Sequence, residues 1–270
     1  MKLTKIISSR RYDEIVEKYH LKGCYTNNYM LQGEVLNLIN KGDLSEICTT
    51  SNAFFFVQKL KCLRLYYYLN NIEEPIAFDE KNFVTEILYR GEAFYPRAEV
   101  DFLKKCGFSI NLIRDQYVGM YKDLAPAKYD EDITVKTVTT IAQVKYACEL
   151  FNNSFDQFSG DFIPESEYKL LWAKGAILIA MKGNEYLGAL HQSIENNVAW
   201  LSHIAVEGHA RGRHIGQALV DSFVAKNRVS EKTRYMLWVQ HQNIPAVSMY
   251  QKKGFKYINK STISLVKINK

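Results

Sequence analysis

Cysteine, proline and long apolar runs are all scarce in this chain, whose 270 residues include five cysteines, five prolines and fourteen glycines. Cys24, Cys48, Cys62, Cys106 and Cys148 lie too far apart to form a metal knuckle or a redox pair, so reduced thiols and no metal site are expected. Cys106 and Cys148 fall in helical patterns and read as small buried hydrophobes. Apolar runs such as 53–57 and 176–181 are far shorter than the roughly 20 residues that span a bilayer. Residues 1–11 turn polar too soon for the apolar region of a secretory signal. A cytoplasmic protein without a membrane partner is the expectation. With 47% hydrophobic residues, a disordered chain is excluded.

The length suits two domains of ordinary size. The formal charge of +6 is modest, but it is unevenly distributed. Residues 201–270 carry twelve Lys and Arg against Glu207, Asp221 and Glu231, a net of +9, whereas 126–200 carry six against ten, a net of −4. A field of this kind suits a small polyanionic ligand. Nucleic acid is not expected, because the basic residues are spread over strands and helices instead of lining one helix face with aromatics.

Residues 123–132 combine proline and acidic residues without periodicity and form the expected linker between domains at 1–125 and 126–270. Beyond the linker, strands are expected over 133–138, 176–181, 186–192, 198–206, 235–240 and 261–268. Helices are expected over 141–151, 165–172, 216–225 and 244–253. This is a layered α/β pattern, a mixed sheet flanked by helices. The helix after residue 215 carries Ile215, Leu219, Val220 and Phe223 as a core-facing stripe. The next has Asn243 as N-cap, Pro245 in its first turn and Gly254 just past its end. Residues 98–108 align with 245–255 at an offset of 147, each helix flanked by apolar strands, which indicates a duplication at domain scale. Between strands 63–69 and 83–89 the first copy has neither glycine nor a basic turn. It is read as a degenerate half that is structural, covers substrate or mediates a homodimer.

The most informative stretch follows the strand ending His203-Ile204-Ala205-Val206. It runs Arg211-Gly212-Arg213-His214-Ile215-Gly216-Gln217 and opens directly onto a helix, so backbone N–H groups collect at the helix's positive end and suit a pyrophosphate. With Asn243, Ala246, Tyr250 and Gly254-Phe255 at fixed steps beyond it, this stretch resembles the GNAT superfamily of acyl-CoA-dependent N-acetyltransferases. The resemblance covers roughly 133–267. The family's cofactor motif reads Arg or Gln, two residues, Gly, one residue, Gly or Ala. Arg211 and Gly216 match its ends, and His214 stands at its first glycine, where a residue with helical dihedrals would still donate its N–H.

The resemblance implies two tandem GNAT-like copies, the first degenerate, with acetyl-CoA as cosubstrate and no metal. It implies a gap between the strands ending at Val206 and Gln240, where Ile204 and Val206 offer free edge groups to a pantetheine arm. Tyr250 is the implied acid for the departing thiolate. Asn243 is the implied partner of the pantetheine or of the last strand. Trp200 occupies the position of the family's frequent Glu base, which leaves Ser202, His191 and above all His203 as base candidates. Glu149, Asp156, Asp161, Glu165 and Glu167 flank the acceptor side and suit a cationic amine, small or peptidic. The alternatives are an acyl-CoA-binding or regulatory protein without turnover, and a tandem transferase acting on an aminoacyl or peptide acceptor.

Overall fold

The computed structural model describes residues 3–78, 81–126, 129, 132–158 and 162–268. The chain forms two compact units, one of residues 1–113 and 261–270 and the other of residues 114–260. The division therefore falls inside a strand, upstream of the expected linker at 123–132, and the last ten residues belong to the first unit.

The first unit runs β1 (Thr4–Lys5), α1 (Ser9–Tyr19), β2 (Tyr25–Thr26), α2 (Gln32–Lys41), β3 (Leu44–Cys48), β4 (Asn52–Gln58), β5 (Leu63–Leu69), β6 (Phe83–Tyr89), α3 (Arg97–Lys105) and the start of β7 (Ser109–Met120). The second continues from β7 through β8 (Ile133–Thr137), α4 (Ile141–Ser154), α5 (Tyr168–Ala173), β9 (Ile177–Lys182), β10 (Glu185–Glu195), β11 (Val198–Val206), α6 (Ile215–Lys226), β12 (Arg234–Gln240), α7 (Ile244–Lys252) and β13 (Lys256–Lys267).

Each unit builds a mixed sheet with helices on both faces. In the first, β1, β3, β4 and β5 pair antiparallel in that order, and β6 pairs antiparallel with residues 261–267 of β13. The apolar run at 53–57 is explained by its place in β4. Phe54 and Phe56 pack toward α3 with Val100 and Leu103, while Ala53, Phe55 and Val57 pack toward α1 and α2 with Ile15 and Val35. A strand buried on both faces loses the usual polar alternation. β9 follows the same rule, with Leu178 and Ala180 joining the α6 cluster and Ile177, Ile179 and Met181 joining the α4 cluster.

The duplication is resolved to the residue. α3 and α7 begin and end 147 residues apart, as do β7 and β13. Gly107 and Gly254 close the two helices with φ of 91° and 101°, and Phe108 and Phe255 behind them are both buried. One element has no counterpart: among the described residues between β5 and β6 there is no helix, whereas α6 joins β11 to β12. The last strand starts at Lys256 instead of the expected 261, through Asn259, whose φ of 56° interrupts the apolar alternation. The expected helix at 165–172 is a 3-10 turn at Glu165–Glu167 followed by the short α5.

Gly254 is fixed twice over. Its left-handed backbone disfavours any side chain, and a Cβ there would collide with the carbonyl oxygen of Asp123. Gly254→Ala is expected to lower unfolding stability by more than about 3 kcal/mol, measured by urea denaturation, because strain and backbone displacement add.

Candidate functional site

The site is built by two strands that part. β11 and β12 pair in parallel from Val198↔Arg234 only as far as Leu201↔Leu237. Their outer partners do not stop there: β10 follows β11 to Gly188↔Val206, and β7 follows β12 to Arg114↔Gln240. The divergence has a local cause. Between the pairs Gln192↔Leu201 and His191↔His203, β11 holds one extra residue, Ser202, and such a bulge bends the strand and raises its twist.

Beyond the bulge, the direction of each backbone group can be assigned. The N–H of Glu207 donates to Leu187 O at 3.0 Å, toward β10. Alternation along the strand then turns the N–H and C=O groups of Ile204 and Val206 toward the gap, with Ala205 between them facing β10. Side chains of Ile204, Val206, Ala246 and Met249 pack on the buried cluster of Leu201, Leu237, Val239, Ile215 and Tyr250 beneath it.

At its wide end the gap meets the glycine turn. After a 3-10 turn at Gly208–Ala210, Arg211 is extended, Gly212 has φ of 78°, and α6 starts at Ile215. The first helical bond runs from Ala218 N to His214 O at 3.1 Å. The N–H groups of Gly212, Arg213, His214, Ile215, Gly216 and Gln217 therefore have no acceptor among the described residues, and they sit at the helix's positive end, in a turn that also carries Arg211 and Arg213 in its sequence. Backbone donors, dipole and guanidinium groups together fit a diphosphate.

His214 corrects the sequence-based expectation. It is left-handed, with φ of 62° and ψ of 14°, not right-handed helical, which explains the family's glycine at this position. A histidine held there costs on the order of 1 kcal/mol. His214→Gly is expected to raise unfolding stability by about 0.5–1 kcal/mol, and His214→Val to lower it by about 1–2 kcal/mol. Urea titration together with calorimetry reads both.

Tyr250 lies on α7, 3% exposed, edge-on to Phe255 at 5.7 Å. Its hydroxyl has no hydrogen-bond partner among the described residues, and burial raises its pKa well above that of a free phenol, so it stays protonated. Asn243 caps α7, its Oδ1 accepting from Ala246 N at 3.3 Å. Trp200 is half-buried on β11.

His203 and His191 lie opposite each other across the β10–β11 ladder, their Nδ1 atoms 3.1 Å apart and their rings nearly parallel. Phe151 and Phe155 of the α4 segment enclose His203 at 5.4 and 5.2 Å. A bond between two Nδ1 atoms needs one donor and one acceptor, so the pair cannot be fully protonated. Burial, with His203 adding to it, lowers the pKa of His191 to about 4. The unfolded side chain titrates near 6.5, so this neutral histidine contributes stability above that pH which is lost as pH falls toward 4. A decline of up to about 3 kcal/mol between pH 7 and pH 4 is expected, and His191→Gln should flatten it in urea titrations at each pH.

Two contacts near the gap escaped sequence reading. Glu207 accepts from the Tyr146 hydroxyl at 2.8 Å. His241, just past β12, bonds the largely buried Asp115 at 2.7 Å. Asp115 stands 126 residues earlier in sequence, and no local pattern could have joined the two. Of the acidic residues expected on the acceptor side, Glu149, Glu165 and Glu167 are exposed, Asp156 bonds Phe158 N, and Asp161 lies outside the described residues. Among the described residues no cluster could hold a metal ion, and no helix is long and apolar enough to cross a membrane.

Comparison with known proteins agrees with this geometry. Residues 146–255 match the family model described as Acetyltransferase (GNAT) family. No curated protein matches the chain by sequence. Among solved structures, a GCN5-related N-acetyltransferase from Sphaerobacter thermophilus is similar at 14% identity with a TM-score of 0.58, over 80% of this chain and 76% of the other. One from Kribbella flavida is similar at 13% identity and 0.54, over 89% and 96%. A tandem GNAT protein from the clavulanic acid biosynthesis pathway is similar at 9% identity and 0.52, over 83% and 82%. These likenesses establish the fold, and residues 146–255 are the segment similar to the GNAT acetyltransferase family model.

Proposed function

We propose that this protein transfers an acetyl group from acetyl-CoA to a primary amine, by direct attack while both substrates are bound to the second unit. The parting of β11 and β12, which ends on six N–H groups without an acceptor among the described residues, carries the reading. A pantetheine arm has amides to pair with Ile204 and Val206, and its diphosphate matches the turn at 211–217.

His203 takes the proton from the attacking nitrogen. His191 stays neutral and accepts from His203 Nδ1–H, which orients the His203 ring. Tyr250 gives its proton to the sulfur as the C–S bond breaks and the C–N bond forms. A cationic acceptor, small or peptidic, suits the exposed carboxylates of Glu149, Glu165 and Glu167.

Release of CoA from acetyl-CoA across a panel of primary amines tests the proposal. Turnover that requires an amine, with intersecting double-reciprocal lines, is expected. Binding of acetyl-CoA with no turnover on any amine would leave a binding protein in its place.

A further inference from the structure

The first unit has a strand break of its own, at β5 and β6. These strands pair in parallel only at Leu63↔Phe83 and Arg64↔Val84. β5 keeps its register with β4 as far as Leu69↔Asn52, and β6 keeps its register with β13 as far as Tyr89↔Ser261. The divergence thus belongs to this pair alone, as it does at β11 and β12.

Here the opening is filled by the chain itself. β2 pairs antiparallel with β5 through Tyr25↔Leu69 and Thr26↔Tyr68, and the Thr26 hydroxyl donates to Tyr67 O at 2.7 Å. Asn27 then spans the gap. Its Oδ1 accepts from Tyr67 N at 2.9 Å, while its Nδ2 lies 3.2 Å from Leu65 O on one strand and 3.0 Å from Glu86 O on the other. Thr85 Oγ1, fully buried, adds a contact to Nδ2 at 2.8 Å. Asn28 anchors the outer end, with Nδ2 donating to the hydroxyls of Tyr12 at 2.8 Å and Tyr68 at 3.2 Å.

Asn27 is 2% exposed, and its one carboxamide satisfies backbone groups of both strands. A side-chain amide here makes the kind of bonds that an amide of an extended ligand would make to two strand edges. We infer that the β5–β6 gap is a strand-binding site occupied in cis. Residues 25–28 hold in the first unit the place that, on the function proposed above, the pantetheine arm holds in the second. The chain then takes up one acyl-CoA, and the first unit is closed to it by its own segment.

Amide hydrogen exchange on the full chain, with and without acetyl-CoA, tests this. Acetyl-CoA is expected to protect 202–206 and 212–217 and to leave 65–69 and 84–86 unchanged. Asn27→Ala is expected to speed exchange at the Tyr67 amide at least about tenfold while amides of 198–206 keep wild-type rates. Should that variant fail to fold, Thr26→Val, which removes a single bond to Tyr67 O, is expected to speed exchange at 67–69 to a smaller extent. Protection of 65–69 or 84–86 by acetyl-CoA would overturn the inference, as would unchanged exchange at 67–69 in the folded variant. Absence of protection everywhere would overturn the proposed function alone, because the Tyr67 result needs no cofactor.

Discussion

Arg211→Glu combined with Gly216→Asp is expected to weaken acetyl-CoA binding at least about a hundredfold, roughly 3 kcal/mol, by titration calorimetry. Both substitutions add a carboxylate to the turn whose N–H groups lack an acceptor among the described residues, where the proposed function seats the diphosphate. The variant should still fold. Gly216 has an ordinary backbone conformation, and a Cβ there would meet the flexible Met249 Sδ at 3.3 Å, not backbone. An aspartate in the first turn of α6 also favours the helix dipole. Unchanged urea midpoints with lost binding would therefore locate the defect in the cradle, and retained affinity would exclude the cradle as the phosphate site.

Tyr250→Phe is expected to lower kcat about a hundredfold with little change in the acetyl-CoA binding constant. The ring would keep its edge-on contact with Phe255 at 5.7 Å, and no protein hydrogen bond would be lost, since the hydroxyl makes none among the described residues. Desolvation keeps the phenol protonated at neutral pH, so what the variant lacks is a proton donor and not a packed side chain. With an acyl donor whose thiol is a better leaving group, the deficit should shrink. Equal rates for both enzymes would assign Tyr250 to the core.

Much of this was legible in the sequence because it rests on local chemistry. Asn243, Pro245 and Gly254 set the ends of α7 within a residue, and the strands at 63–69 and 83–89 fall where apolar residues cluster. The offset of 147 is a chain property and is kept unchanged in the fold. What stayed hidden depends on partners far along the chain or on backbone conformation. The bulge at Ser202 places His191 against His203, two candidates that sequence could only name separately. The left-handed turn at His214 is invisible where glycine is absent. β2 is two residues long, too short for any periodicity, and Asn27 looks like one loop asparagine among several until its bonds to both strands are seen. The exchange of residues 261–270 into the first unit likewise follows from pairing with β6, to which no composition shift points.

A crystal structure of the chain with acetyl-CoA tests the central claim most directly. The account predicts the diphosphate on the N–H groups of 212–217, the pantetheine between Ile204–Val206 and the end of β12, the thioester sulfur within hydrogen-bond reach of the Tyr250 hydroxyl, and no second cofactor between β5 and β6. Acetyl-CoA bound outside the β11–β12 gap, or with its sulfur beyond the reach of Tyr250, would contradict it.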